Sequence, residues 1–243
     1  KLPDCFLISG RYLKTMEFNN VTEIGDDVLF ANMDLEHFDL NNTEVIGNYF
    51  LTNNINLKDI DLSNTIIIGD DFLKRNLIVQ NINFNSLQRV GSSFMFSNQG
   101  LKSIVMPSLV YTSKCFFKMN DKVLFASFSS LRETSDYFMT DAKNLRMFEA
   151  DNLEKTGDMF LRGNKELDYI SLPNLKKTGK MFLAANQLIM SVNLPNLAFL
   201  PKYFLRNAKK IESINLHKNY SWENIYNKKL LELLSKKKGK LLW

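Results

Sequence analysis

The hydrophobic positions of this chain fall in columns. Phenylalanine stands at Phe6, Phe50, Phe72, Phe94, Phe116, Phe138, Phe160, Phe182 and Phe204, with Val28 in the single gap, so the spacing is 22 residues throughout. Three residues before each lies Pro3, Gly25, Gly47, Gly69, Gly91, Ser113, Ser135, Gly157, Gly179 or Pro201, which is position 1 of ten uninterrupted repeats. Position 5 is Leu, Met or Phe, position 8 is Asn in seven repeats, position 11 is Leu, Val or Ile, and positions 14, 16, 19 and 22 are mostly aliphatic. Positions 14 and 16 alternate with 13 and 15, the period of two that marks a short strand with one buried face. One strand per repeat predicts a long parallel sheet. Proline at position 17 (Pro107, Pro173, Pro195) has no N–H for a ladder, so the strand is expected to end there.

Position 2 is Asp, Asn or Ser in seven repeats, just ahead of the Phe-Leu pair, which predicts the N-cap of a short helical turn opposite the sheet. Asn at position 8 then either ends that turn in the left-handed conformation or hydrogen-bonds the adjoining backbone. A single unit cannot bury its Phe, Leu and Ile columns, whereas ten stacked units bury them continuously. After Ser221, the spacing of Trp222, Ile225, Tyr226, Leu230, Leu233 and Leu234 predicts an amphipathic helix over 222–235 that covers the last repeat, with Leu241, Leu242 and Trp243 folding back on it. No comparable cap precedes Pro3, and Leu2 fits position 22 of an earlier unit, so further sequence upstream of Lys1 is expected. The fold class that follows is an α/β repeat solenoid over residues 1–220, closed by a capping helix and basic tail over 221–243.

Composition and charge sharpen this picture. With 45% apolar and 23% charged residues the chain is globular, and it has no uninterrupted apolar run long enough to span a membrane. Of the net charge of +5, six lysines set against Glu223 and Glu232 place +4 beyond Ser221. Basicity therefore belongs to the helix end, where lysines suit the negative pole of the dipole, and nucleic acid is not expected as a partner.

The repeats resemble the leucine-rich repeat superfamily and, within it, the BspA-like branch of bacterial and protist surface proteins. That branch has a Leu-x-x-Ile-x-Leu-Pro stretch followed by Ile-Gly-x-x-x-Phe. Leu167 to Leu172 with Pro173, Thr178-Gly179 and Phe182 match it, and Leu101 to Met106 with Pro107 match nearly. The period here is 22 where that branch usually has 23, and its small or Cys position is mostly Asn. The resemblance implies a curved solenoid that recognises protein or glycan, in a secreted or surface-attached protein used for adhesion or host interaction. It implies no catalytic residues and no cofactor.

Candidate chemistry is sparse. His37 and His217 lie eight repeats apart, roughly 38 Å at the strand spacing, and cannot share a metal. Cys5 and Cys115 lie roughly 24 Å apart, too far for a disulfide, and are expected as free thiols. No phosphate loop, paired nucleophile and base, or zinc spacing occurs, so no enzymatic activity, cofactor or metal is expected. Thr112, Thr134, Thr156 and Thr178 share one column and predict a buried hydroxyl ladder. Asn20, Asn41 and Asn219 begin N-glycosylation sequons.

The outward strand positions are where a solenoid of this kind binds. Phe125, Met147 and Tyr169 at position 13, flanked by Val105 and Leu124, form an apolar ladder in an otherwise small or polar column. Such a cluster points to a protein partner unless local bending turns it inward or it packs against a long loop. Glu17, Glu36, Asp39, Asp59 and Asp61 crowd the first three strands as a second, acidic patch, either a solvated face, a calcium site or a surface for a basic partner. Two alternatives stand beside protein recognition. One is the substrate-recognition segment of a larger enzyme or effector; the other is glycan binding, with Tyr169 and Phe125 stacking on sugar rings and Asp59, Asp61 and Glu149 accepting from hydroxyls.

Overall fold

The structure, a computed structural model, describes residues 1–240 apart from 11, 19 and 41, and of residues 81 and 238–240 the backbone alone. The return of Leu241, Leu242 and Trp243 and the sequon at Asn41 lie outside the described residues. The chain is a solenoid of stacked coils, one per repeat. Positions 13 to 15 form the predicted parallel strands, from Thr15–Glu17, His37–Asp39 and Asp59–Asp61 to Ser191–Leu194 and Ser213–Leu216. Position 14 points inward and positions 13 and 15 point out, as in Asp59–Asp61 and Met147–Glu149. The strands stop at the prolines of position 17, as their missing N–H requires.

A second parallel sheet runs along positions 21 and 22. It begins with Glu23–Ile24, Val45–Ile46 and Ile67–Ile68, continues through Arg89–Val90 and Tyr111–Thr112 to Glu133–Thr134, and extends by single bridges through Lys155 to Lys177. Phe199–Leu200 and Ser221–Trp222 form a separate parallel pair at the same positions of the last coils. Between the sheets the eight rings from Phe50 to Phe204 stack in one column, with centroids 5.0–6.1 Å apart. Where Val28 interrupts the column, Phe38 bridges instead, its ring 5.5 Å from both Phe18 and Phe50. Phenylalanine is therefore demanded by its neighbours in the stack, each ring being the packing surface of the next.

Opposite the strands, the short helical turns expected from position 2 take another form. Positions 3, 5 and 7 of every coil have left-handed φ, for example Asp27 (56°), Leu29 (54°) and Ala31 (55°), and only Gly163 among them is a glycine. Their N–H groups, which a helix would keep within its own turn, go to neighbouring coils: Asp27 donates to the Asn48 carbonyl, Leu29 to Phe6 and Ala31 to Thr52, each at 2.9 Å. A third inter-coil ladder thus replaces the helix. The side chain at position 2 joins it and caps nothing: Asp4 Oδ1 accepts from Asp26 N, Asp26 Oδ1 from Asn48 N, and Asp70 Oδ1 from Ser92 N.

That bond explains the glycine column. A Cβ on Gly91 would lie 2.3 Å from Asp70 Oδ1 and 2.4 Å from the Gly69 carbonyl carbon, and Gly47 and Gly69 are equally tight. Gly stands at position 1 wherever the preceding coil has Asp or Asn at position 2; where that residue is Ser92, Lys114 or Lys180, the next coil has Ser113, Ser135 or Pro201. At position 8 the backbone-bonding alternative holds, since these Asn residues are buried and absent from the left-handed set. Nδ2 of Asn54, Asn76, Asn120, Asn164 and Asn186 donates to the position-5 carbonyl of the preceding coil at 2.8–3.1 Å.

The capping helix begins later than its pattern suggests, spanning Lys228–Lys240. Trp222 belongs to the last strand of the second sheet, and Tyr226 lies exposed against Tyr203, 5.0 Å between ring centroids. Asn227 is the N-cap, accepting from Leu230 N through Oδ1, while its Nδ2 donates to the position-5 carbonyl of Leu205, the kind of acceptor the column asparagines use. Leu230 and Leu234 are buried on the last coil, Tyr220 donates its hydroxyl to the Leu234 carbonyl, and the Lys237 ammonium reaches the Ile214 carbonyl at the end of the strand series. No helix among the described residues is long and apolar enough to cross a membrane.

Candidate functional site

The first sheet presents positions 13 and 15 to solvent, and its character changes along the stack. Over the first strands lie Glu17, Asp39, Asp59 and Asp61, lining a groove of about 820 Å³ that extends to Val105. His37 Nδ1 meets Asp59 Oδ2 at 3.0 Å. Glu36 sits half-buried beside them, and the hydrogen bond and charge of Lys58, helped by Lys14, hold its carboxyl below the usual carboxylate range. No cluster of His, Cys, Asp and Glu able to hold a metal occurs among the described residues.

The apolar ladder comes next. Phe125 and Met147 are partners in register on adjacent strands, and Tyr169 takes the same column position one coil further. Local bending does not turn the ladder inward: Met147 is 54%, Tyr169 52%, Val105 49% and Leu124 41% exposed, with Phe125 half-buried. Beyond Tyr169 the face becomes a polar ladder. Asn215 Nδ2 donates to Asn193 Oδ1 and Asn193 Nδ2 to Ser171 Oγ, both at 2.9 Å, and Ser213 donates to Ser191 at 2.7 Å.

Two features escaped the sequence reading. The strand ladder breaks between Met147–Glu149 and Tyr169–Ser171 and also between Asn81–Asn83 and Ser103–Val105, where the second sheet and the Phe72–Phe94–Phe116 stack cross unbroken. Ile82 is consequently only partly buried at a position where Ile60 and Ile104 are fully covered. Gly100 marks the place, since a Cβ there would lie 2.0 Å from the Val79 carbonyl oxygen. The other feature is the outward column of the second sheet, where Val45, Ile67, Tyr111 and Phe199 are exposed. Apolar residues at position 21 give no alternation that would announce a strand.

The remaining candidates are placed as follows. Cys5 is exposed and Cys115 half-buried, both as free thiols. In the threonine column Thr112, Thr134 and Thr156 are buried, but only Thr156 and Thr178 hydrogen-bond each other, at 2.8 Å; the Thr112 and Thr134 hydroxyls have no partner. Asn20 and Asn219 are exposed.

The family model described as the BspA type leucine-rich repeat region matches residues 4–102 and 113–230 in six copies. No curated protein sequence matches the chain. Among solved structures, a leucine-rich repeat protein from Bacteroides ovatus ATCC 8483 is similar at TM-score 0.51 and 20% identity, over 87% of this chain and 66% of that one. The chain thus spans just under two thirds of that protein's length. The pneumococcal vaccine antigen PcpA aligns at TM-score 0.43 and 13% identity, over 91% of this chain and 76% of that one.

Proposed function

The chain belongs to the BspA-type leucine-rich repeat family, and from that premise we propose that it is a non-enzymatic recognition module that binds a protein partner on its sheet face around Phe125, Met147 and Tyr169. The observation that carries this reading is the exposure of Met147 and Tyr169 at the same position of neighbouring coils, with Val105 and Leu124 at their edge. Large apolar side chains held in series on a scaffold that loses no entropy on binding are the usual anchors of an interface. The family supports a reading of this module as secreted or displayed on the cell surface, for adhesion or host interaction.

The test is a cross-linking pull-down from host and self extracts, comparing the wild type with a Met147→Asp/Tyr169→Asp double variant whose circular dichroism matches the wild type. Both positions are exposed, so the variant is expected to fold. A partner captured by the wild type and lost by the variant supports the reading; equal capture by both sinks it.

Glycan binding is the second reading, favoured by the amide and hydroxyl ladder of Ser171, Asn193 and Asn215 directly beside Tyr169. Of the carboxylates considered for it, only Glu149 shares this end of the sheet; Asp59 and Asp61 are five coils away, roughly 24 Å at the strand spacing. Binding on a glycan array that disappears with Tyr169→Ala would establish it, and an array with no signal would remove it.

A further inference from the structure

The groove over the first five coils combines two features. One is uncompensated charge. Glu17 lies opposite Asp39 in register, and Asp61 is next in the same column. Among the described residues none of the three has an ion-pair partner, although Glu36 is held by Lys58 and Lys14, and Asp59 by His37. Like charges directly opposite on neighbouring strands, about 4.8 Å apart, repel. In later coils carboxylates are answered by cations: Arg132 and Lys176 flank Glu154, and Lys155 answers Glu133.

The other feature is open backbone. Strand Asn81–Asn83 pairs only with Asp59–Asp61, and Ser103–Val105 only with Phe125–Ser127, so each leaves one edge unpaired at the far end of the same groove. Between these edges the groove is floored by Ile82 and Leu101, with Gln80 and Ser103 at its rim.

We propose that this groove docks an extended basic segment of a partner protein, carrying Lys or Arg at alternate positions followed two residues later by an apolar side chain. The cations lie along Glu17, Asp39 and Asp61, relieving their mutual repulsion; the apolar side chain covers Ile82; and the main chain meets the free strand edges. The distance from the first strand to the fifth, roughly 19 Å, corresponds to about six extended residues, which fits two basic residues, their spacers and the apolar anchor. This rests on the reading of the sheet face as a recognition surface, but it uses neither Met147 nor Tyr169.

The test is fluorescence polarisation with the full chain and a labelled peptide GKTRTLTG, set against the charge-reversed GETETLTG and an anchorless GKTRTSTG. The basic peptide is expected to bind and the charge-reversed one not. Asp39→Asn/Asp61→Asn is expected to weaken binding about tenfold, the worth of two exposed ion pairs. Losing the anchor should also weaken it, and raising salt from about 0.05 M to about 0.5 M should reduce it. The Asn double variant removes stacked like charges, so its melting temperature should not fall, which excludes misfolding as the cause. Equal affinity for the basic and charge-reversed peptides, no binding of either, or affinity unchanged in the Asn variant overturns the proposal. Met147→Asp/Tyr169→Asp separates the two readings. It should leave peptide binding intact even where it abolishes capture of a partner by the apolar ladder.

Discussion

At the scale of single residues, the stack makes each side chain answer to the residue one period away more than to its sequence neighbours. Leu29, Leu51 and Leu161 hold φ near 50°, a conformation that costs an L-residue about 1–2 kcal/mol. Each is sustained because its N–H is spent on a carbonyl of the adjoining coil. Nothing in the local sequence advertises this, since only one of the left-handed positions is glycine. The glycines that do stand out serve close approach between coils. Gly91→Ala is expected to destabilise by about 1–3 kcal/mol as overpacking against Asp70 and Gly69. A Gly91→Ser/Asp70→Ser pair, copying Ser92 below Ser113, should recover part of that loss. Urea unfolding of the single and double variants checks both, and an additive pair would disprove the coupling.

At the scale of elements, the C-terminal helix is joined to the solenoid through one asparagine. Asn227 caps the helix at Leu230 N and gives its amide to the Leu205 and Ala208 carbonyls, so one side chain both ties the helix to the last coil and starts it. Asn227→Ala removes a cap worth about 0.5–2 kcal/mol and also strands two carbonyls, so the total loss should exceed that of an ordinary cap. Leu234→Ala, from a fully buried site on the last coil, should cost about 2–5 kcal/mol. Both are measured by denaturant unfolding, and near-neutral values would show that the helix does not seal the stack. The helix was legible from its leucines. Its start was misplaced because Trp222 and Tyr226, though apolar and suitably spaced, are taken by the second sheet and by Tyr203.

At the scale of the whole molecule, three parallel ladders and a phenylalanine column run along the stack, and the outer strand ladder is interrupted beside its candidate binding face. Between the fourth and fifth coils that ladder opens while the second sheet and the rings pass through. Amide exchange in Asn81–Asn83 and Ser103–Val105 is therefore expected to be faster than in His37–Asp39 and Ser191–Leu194, each of which is paired on both sides. Hydrogen exchange with mass-spectrometric readout tests this, and uniform protection along the strand series would mean that the opening is absent in solution.

What the sequence determined by itself is whatever repeats with a fixed period: the coil length, the buried columns, the outward positions and hence the apolar ladder and acidic patch, because burial in a stack acts on the same position of every unit. The tertiary structure alone decided the second sheet, the left-handed turns, the pairing of Gly with Asp across coils and the opening beside Ile82. These depend on hydrogen bonds and contacts between residues 22 or more apart, whose partners become neighbours only after the coils have stacked.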